Sequence, residues 1–280
     1  MSQSIAAIQM TSGREPHANL AAAEPLLQEA ARRGARLAVL PENFAGYGGD
    51  YRALAAQYDV LQQWLCDQAR SLGMAIIGGS IPALTRPDGS PVPAPRVRTR
   101  SLAVEADGQV VGLYDKLHLF DAQINDAQGR YRESDIFEPG QAVATATLSG
   151  LRVGLAICYD LRFPSLAQRL AAAGADLLVY PSAFTAVTGA AHWELLLRAT
   201  AVQTGCYVLG ANQCGQHGPR RASYGHSMLV SPWGEVIDAL DDAPGALVAG
   251  LDLDTMNELR QRMPVQQHQT FRIEGPYEAN

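Results

Sequence analysis

The sequence predicts an α/β fold in which helices pack over both sides of β-sheet. Short apolar runs recur along the chain, and several are continuous rather than alternating, which is typical of strands covered on both faces. Segments with helical periodicity separate these runs, and such alternation is typical of layered α/β domains. The predicted strands span residues 4–10, 37–40, 74–81, 101–104, 110–113, 151–157, 176–180, 207–211, 226–230, 236–239 and 247–251. The predicted helices span residues 18–33, 51–72, 163–173, 191–204 and 254–263.

The first predicted helix shows its periodicity most clearly. Leu20, Ala23 and Leu27 recur at helical spacing with charged residues between them, and Gly34 marks the end of the pattern. The apolar runs on either side, IAAIQM and LAVL, are read as strands. Helix and strand patterns therefore alternate from the start of the chain.

The chain is predicted to be a single domain over residues 1–280. A chain of 280 residues that is 47% hydrophobic can bury one sizeable core. Residues 86–95 (RPDGSPVPAP) lie between two strand patterns, so they are interpreted as a long hairpin loop rather than a domain linker. From about residue 264 the sequence has no apolar period, and this last segment is expected to be extended or loose.

The overall charge favours a small-molecule partner. The sequence has 22 basic and 28 acidic residues and no block of basic residues, which gives no reason to expect nucleic acid or an anionic membrane as a partner. No signal peptide or membrane span is evident. Four scattered cysteines do not resemble a disulfide framework and fit a reducing compartment, so a cytoplasmic location is expected.

The segment GLAICYDLRF at residues 154–163 draws attention to Cys158. A lone cysteine is more often a small buried hydrophobe than a functional group. Cys158, however, ends a buried strand pattern just before a turn and a helix, where open α/β sheets place ligands. A thiol with an ordinary pKa is mostly protonated at neutral pH, so a nucleophilic Cys158 requires a base or a cation nearby.

Two other strand patterns also end in a charged residue. LAVLPE ends in Glu42, and YDKLHLF places Lys116 just after a strand. Alone, Glu42 is explained as a capping or surface acid and Lys116 as a solvated loop cation. Together with Cys158 they form a set of three strand ends that carry a base, a cation and a nucleophile.

Three segments, LPENF, YDKLHLFD and CYDLRFPSL, resemble in this order the signature segments of the nitrilase superfamily of carbon–nitrogen hydrolases. The resemblance runs from IAAIQM to RMPVQQH. It implies a four-layer α-β-β-α sandwich, a Glu-Lys-Cys catalytic set and a homodimer. No cofactor or metal is implied.

The resemblance assigns a role to each residue of the set. Cys158 is the expected nucleophile, Glu42 the general base and Lys116 the group that stabilises the tetrahedral intermediate, and each role suits the side chain. The backbone N–H of Tyr159 is the expected second oxyanion donor. A second glutamate is placed at Glu133 in RYRES rather than at Glu138 in FEPG.

Residues 180–201, followed by CYVLGANQCG and YGHSMLVSPWGEV, resemble the Nit branch, which holds ω-amidases and amidases for deaminated glutathione. This implies an amidase that acts on deaminated glutathione, or on α-ketoglutaramate as the ω-amidase alternative, with ammonia leaving and a cysteine thioester remaining. Arg162 and Thr188 are expected to hold the substrate carboxylate, although Arg162 also suits an ion pair with Asp160. Phe184 is expected to wall the pocket, unless it is ordinary core packing.

Three other interpretations stay open from the sequence. A Cys-His hydrolase would use His118, His192 or His226 as the base. A zinc site would use Cys206, Cys214, His217 and His226, although their spacing is unlike that of structural zinc sites. A sandwich that only binds a nitrogenous metabolite or a protein partner would have no use for a reactive thiol beside a base.

Overall fold

The computed structural model describes residues 2–271, which form two large β-sheets stacked face to face. The strands of these sheets and of two small hairpins are β1 (Ser2–Gln9), β2 (Leu37–Val39), β3 (Ala75–Ile77), β4 (Ile81–Ala83), β5 (Arg98–Val104), β6 (Val110–Asp115), β7 (Asp121–Gln123), β8 (Arg130–Arg132), β9 (Ala144–Leu148), β10 (Leu151–Leu155), β11 (Leu177–Ser182), β12 (Tyr207–Asn212), β13 (Cys214–Gln216), β14 (Ala222–Tyr224), β15 (Met228–Val230), β16 (Val236–Ala239) and β17 (Gly245–Asp252). The helices are α1 (Pro16–Arg32), α2 (Tyr51–Ala55), α3 (Tyr58–Leu72), α4 (Pro164–Ala172), α5 (Ala186–Thr204), α6 (Leu253–Arg262) and α7 (Val265–His268), with 3-10 helices at Glu133–Asp135 and Cys158–Arg162.

Each large sheet is built mainly from one half of the chain. The first sheet has the order β17-β1-β2-β3-β5-β4, with β6 also paired to β5. The second has the order β16-β15-β12-β11-β10-β9. Strand β17 returns from the C-terminal half and pairs antiparallel with β1, so it ties the two halves together.

The strands of the first sheet bury both faces because successive side chains point to opposite sides. Ile5 and Ala7 of β1 belong to a core cluster shared with the second sheet, while Ala6 and Ile8 belong to a cluster formed with α1 and α3. Helices α4 and α5 pack on the other face of the second sheet. The layers are therefore α-β-β-α, which confirms both the predicted α/β class and the four-layer sandwich.

Most predicted elements are present, but one predicted helix and one predicted strand are each divided in two. The predicted helix 51–72 is two helices, α2 and α3, and the predicted strand 74–81 is two strands, β3 and β4. The second break lies at Gly79, whose φ of +44° is in the left-handed region. Residues 86–95 connect β4 to β5, which pair antiparallel, so the hairpin interpretation is confirmed.

Two other predictions need correction. The predicted strand 226–230 begins only at Met228, because His226 has a φ of +56°, and His226 is therefore not a strand residue. The segment from about residue 264 is not wholly extended, since α7 lies within it, and residues 272–280 of that segment lie outside the described residues. No helix within residues 2–271 is long and apolar enough to cross a membrane.

Candidate active site

The chain places Glu42, Lys116 and Cys158 just beyond the carboxyl ends of β2, β6 and β10. Because the two sheets stack, these strand ends meet at one edge of the sandwich. The Lys116 Nζ donates to Glu42 Oε1 at 2.7 Å and to the two carboxylate oxygens of Glu133 at 2.9 and 3.1 Å. The structure thus brings Glu42, the expected base, into one cluster with the Lys116 cation and the second glutamate.

Lys116 is buried almost completely, with 1% of its surface exposed. Burial by itself lowers the pKa of Lys116, but the carboxylates of Glu133 and Glu42 outweigh this effect and hold that pKa well above its usual value. The ammonium is therefore charged at neutral pH. Lys116 is also the one lysine in the sequence, where the other 21 basic residues are arginines. This count is a signal that the sequence analysis missed, because it indicates that a compact ammonium is required at this point.

Glu133, and not Glu138, lies against Lys116. Glu133 also accepts a hydrogen bond from the backbone N–H of Phe120 at 2.8 Å, which fixes the carboxylate. Glu138 instead forms ion pairs with Arg86 and Arg98 away from the cluster.

Cys158 occupies a strained turn between β10 and α4. Its φ of +48° is in the left-handed region that non-glycine residues rarely adopt, and it begins the 3-10 helix Cys158–Arg162. Tyr159 follows in the first turn of this helix, where backbone N–H groups have no acceptor within the helix. A strained strand-to-helix turn of this kind exposes a nucleophile together with a free N–H group.

The turn is held in place by Asp160, which is fully buried. Its carboxylate accepts from Tyr114 Oη at 2.7 Å, from the backbone N–H of Ile157 at 2.8 Å and from that of His118 at 3.1 Å. His118 Nδ1 lies 2.7 Å from the same carboxylate. Asp160 therefore pairs with these groups and not with Arg162.

Burial sets the protonation state of the thiol and its base. Burial raises the pKa of the Cys158 thiol well above its usual value and the Glu42 carboxylate adds to this shift, while Lys116 opposes it. Burial also raises the pKa of Glu42 above its usual value, against the opposing effect of Lys116. The resting thiol is therefore protonated at pH 7, and it needs a base to take its proton during attack.

Cys158 opens into a cavity of about 290 Å³. The same cavity brings together all three residues predicted to bind substrate, Arg162, Phe184 and Thr188, and adds several residues that the sequence analysis did not identify. The side chains that line it are Glu42, Phe120, Glu133, Cys158, Tyr159, Arg162, Ala183, Phe184, Thr185, Thr188 and Arg221.

The predicted binding residues are held by their neighbours. The Arg162 guanidinium lies 5.3 Å from the centre of the Phe184 ring, and Arg162 Nη2 is 3.2 Å from His192 Nδ1. Phe184 also packs on Trp193 with 4.8 Å between ring centres, so it is both a wall of the cavity and part of the core. Thr188 Oγ1 lies 2.9 Å from the hydroxyl of Thr185, which caps α5.

Arg221 is the main cavity residue that the sequence analysis missed. It lies in a polar connection before the short strand β14, more than 50 residues after the last signature segment, and nothing in its local pattern marks it. Only the folded chain brings it beside Glu42 and Cys158.

The rival sites are not assembled. His118, His192 and His226 do not line the Cys158 cavity. Within residues 2–271 there is no group of three or more His, Cys, Asp or Glu side chains that could hold a metal ion, so the proposed zinc ligands do not converge. Cys206 is instead buried beneath Arg260, whose Nη2 lies 3.1 Å from its sulfur.

Comparison with known proteins identifies the family of the chain. Residues 4–261 match the family model described as carbon-nitrogen hydrolase. The deaminated glutathione amidase of Yersinia enterocolitica is 40% identical over 274 residues, which cover 95% of this chain and 93% of that protein. The omega-amidase NIT2 of Danio rerio is 35% identical over 264 residues, covering 93% of this chain and 92% of that protein.

Among solved structures, Saccharomyces cerevisiae Nit3, a member of branch 10 of the nitrilase superfamily, superposes with a TM-score of 0.82 at 28% identity. The match covers 96% of this chain and 97% of that one. The α-β-β-α sandwich is thus shared with that superfamily. The chain belongs to the carbon–nitrogen hydrolase family and is a hydrolase of carbon–nitrogen bonds other than peptide bonds.

Proposed function

We propose that the protein is a thiol amidase that acts on deaminated glutathione through a thioester on Cys158. The amide that it hydrolyses is the one that joins the keto-acid part of the substrate to the cysteinylglycine dipeptide. One observation carries the proposal: a protonated thiol and a buried glutamate line one cavity together with an arginine, and a charged ammonium lies 2.7 Å from that glutamate. Relatives that cover nearly the whole chain and are named for this activity support the substrate class.

In the acylation step, Cys158 Sγ attacks the amide carbonyl carbon while its proton passes to Glu42. Negative charge develops on the carbonyl oxygen, where the Lys116 ammonium and the backbone N–H of Tyr159 stabilise it. Glu42 then donates the proton to the amide nitrogen, the carbon–nitrogen bond breaks and the amine leaves. A thioester remains on Cys158.

In the deacylation step, Glu42 takes a proton from a water molecule that attacks the thioester carbonyl. The tetrahedral intermediate collapses, the carbon–sulfur bond breaks and the thiol recovers its proton. Glu133 assists by holding Lys116 beside the reacting oxygen through its bonds at 2.9 and 3.1 Å. No step requires a cofactor or a metal ion.

The acyl part of the substrate is a keto acid, and Arg162 suits its carboxylate because a guanidinium binds a carboxylate through two parallel hydrogen bonds. Thr188 lies in the same cavity and supplies a hydroxyl, while Phe184 covers the methylene chain. These three residues account for recognition of the end remote from the amide.

The leaving group distinguishes the two candidate substrates. The sequence analysis expected ammonia to leave from either substrate, but this holds only for α-ketoglutaramate, whose hydrolysis is the ω-amidase reaction. Deaminated glutathione carries a cysteinylglycine dipeptide on the amide nitrogen, so its hydrolysis releases that dipeptide instead. Both reactions give α-ketoglutarate, which provides a common measure of turnover.

We also propose that residues 1–280 act as one catalytic domain, that the protein works in the cytoplasm, and that it forms a homodimer. All four cysteines are free and buried, which suits a reducing compartment. An exposed apolar patch supports the dimer. Leu195 and Val202 on α5 and Trp233 beside them are 65%, 42% and 62% exposed, and we call these three residues the α5 patch.

The decisive experiment measures α-ketoglutarate formed from deaminated glutathione and from α-ketoglutaramate. Cys158→Ala serves as the inactive variant, and Cys66→Ala serves as the control because Cys66 is equally buried, on α3, away from the cavity. We expect turnover of deaminated glutathione by the wild-type protein and by Cys66→Ala, and none by Cys158→Ala.

Preference for α-ketoglutaramate would reassign the protein as an ω-amidase. Turnover of neither substrate would contradict the proposed substrate class, and binding of either one without turnover would favour a binding protein. Activity of Cys158→Ala close to wild type would refute the thioester mechanism.

A further inference from the structure

The active-site cavity contains two guanidinium groups without carboxylate partners. Arg162 and Arg221 both line it, and within residues 2–271 neither forms an ion pair. A cation removed from water is costly unless an anion compensates it. The mechanism described above uses only Arg162, which leaves the second guanidinium unexplained.

Arg221 is rigidly placed. Its guanidinium lies over two aromatic rings, 5.2 Å from the centre of the Tyr47 ring and 4.6 Å from that of Tyr131. Its Nη2 donates to the backbone oxygen of Ala183 at 3.0 Å, whereas its buried Nε has no hydrogen-bond partner in the described chain. The stacking fixes the plane of the guanidinium and leaves part of its donor capacity free for a ligand.

A second, larger cavity of about 760 Å³ adjoins the first. The residues common to both cavities are Glu42, Glu133 and Arg221. Burial lowers the pKa of His217 in its wall to about 4, so this histidine is neutral at pH 7, and Arg132 is paired with Asp135. Arg221 is therefore the cation of this cavity that is available to an anionic ligand.

The position of Glu42 tells which part of the substrate enters the second cavity. Glu42 gives its proton to the leaving nitrogen, so the leaving group must lie on the side of Glu42, whereas Arg162 and Thr188 hold the acyl part in the first cavity. The two substrates differ on that side. α-Ketoglutaramate carries a single carboxylate, on its acyl part, but deaminated glutathione carries a second one at the glycine end of its leaving dipeptide.

We propose that Arg221 binds the C-terminal carboxylate of the peptide leaving group, and that the second cavity is the subsite for that peptide. The proposal rests on the proposed amidase function. A dipeptide spans at most about 7 Å from its nitrogen to its terminal carboxylate, which limits how far the subsite can lie from the reacting carbon. The pair Arg162 and Arg221 thus matches a substrate with two carboxylates and makes Arg221 a specificity-determining residue.

The test compares three substrates: deaminated glutathione, its analogue with a glycinamide end, and α-ketoglutaramate. The variants are Arg221→Met and, as a control, Arg220→Met, which removes an exposed neighbouring arginine. The wild-type kcat/KM should be about tenfold to a hundredfold higher for the carboxylate form than for the glycinamide form, as expected for a hydrogen bond between charged groups. Arg221→Met should abolish this preference and lower kcat/KM for deaminated glutathione much more than for α-ketoglutaramate, while Arg220→Met should keep the preference.

Three results would overturn the proposal, and they are distinguishable from one another. Equal wild-type rates on the carboxylate and glycinamide forms, or an equal loss on all three substrates in Arg221→Met, would overturn the subsite and leave the amidase function standing. Failure of the wild-type protein to hydrolyse any of the three would overturn both. Circular dichroism of each variant separates a lost contact from a lost fold.

Discussion

The Lys116 ammonium lies between two carboxylates, with distances of 2.7 Å to Glu42 and 2.9 Å to Glu133. One small ammonium binds both carboxylates, and only 1% of the surface of Lys116 is exposed. An arginine in this place would bring a wide, planar group with a different set of donor directions. The space and the geometry therefore require a lysine in a chain whose other basic residues are arginines.

We expect Lys116→Arg to lower kcat at least about a hundredfold, although the positive charge is kept, because the displaced charge no longer lies beside the oxyanion. The variant should also slow alkylation of Cys158 by iodoacetamide at pH 8, since the ammonium of Lys116 lowers the pKa of that thiol and a displaced cation does so less. Steady-state kinetics and mass spectrometry of the labelled protein measure the two effects. Activity within tenfold of wild type would show that charge alone suffices.

In the first sheet, the turns that follow β2 and β3 contact each other. The turn after β3 contacts the turn after β2, which carries Glu42: the backbone N–H of Asn43 donates to Ser80 Oγ at 2.9 Å. A Cβ added at Gly79 would lie 2.0 Å from the backbone oxygen of Pro41, and Gly79 has a φ of +44°. The position of Glu42 thus depends on a glycine in a neighbouring strand connection.

Gly79→Ala should cost about 3 kcal/mol or more of stability and lower kcat as well, because backbone beside Glu42 must move to admit the methyl group. Gly245→Ala in β17 is the matched control, since its Cβ would meet only Leu240 side-chain atoms at 3.7 Å. Urea unfolding and kinetics under native conditions check both effects. Unchanged stability in Gly79→Ala would show that the two turns do not constrain each other.

The elements that carry the catalytic set could be predicted from the sequence, whereas the polar elements around them could not. Strands β2 and β10 are buried apolar runs that are soon followed by polar residues. This contrast between apolar and polar residues is visible in the sequence. Strands β7 and β8 (DAQ and RYR) contain no such contrast, so their hairpin was missed although it precedes Glu133. The break at Gly79 was missed because an apolar pattern does not reveal a positive φ.

At the scale of the whole molecule, the site exists only when the two sheets stack. Glu42 and Lys116 come from the first sheet, while Cys158 and Phe184 come from the second, and Arg221 joins them from a connection between short strands. Local patterns give no information on how two sheets face each other. The sequence therefore allowed prediction of residues that the structure brings together, through their segments, but the second cavity and its arginine required the three-dimensional structure.

The α5 patch points to a further level of assembly. Helix α5 (AVTGAAHWELLLRATAVQT) is apolar around much of its circumference, and such helices are normally covered on more than one side. The connection that carries Trp233 packs against α5, because a Cβ at Gly234 would lie 2.7 Å from Val202 and Arg198 Nε donates to the Gly234 oxygen at 2.7 Å. A second copy of the chain in the proposed homodimer would cover this surface.

We expect the wild-type protein to have the mass of two chains in light scattering coupled to size-exclusion chromatography, and Leu195→Glu to have the mass of one. A charge at the centre of an apolar interface must be desolvated without a partner, which makes association unfavourable. Val60→Glu is the matched control, because Val60 is 64% exposed on α3 and Leu195 is 65% exposed on α5. A dimer that persists in Leu195→Glu, or one that Val60→Glu dissociates, would place the interface elsewhere, and a wild-type monomer would exclude the homodimer.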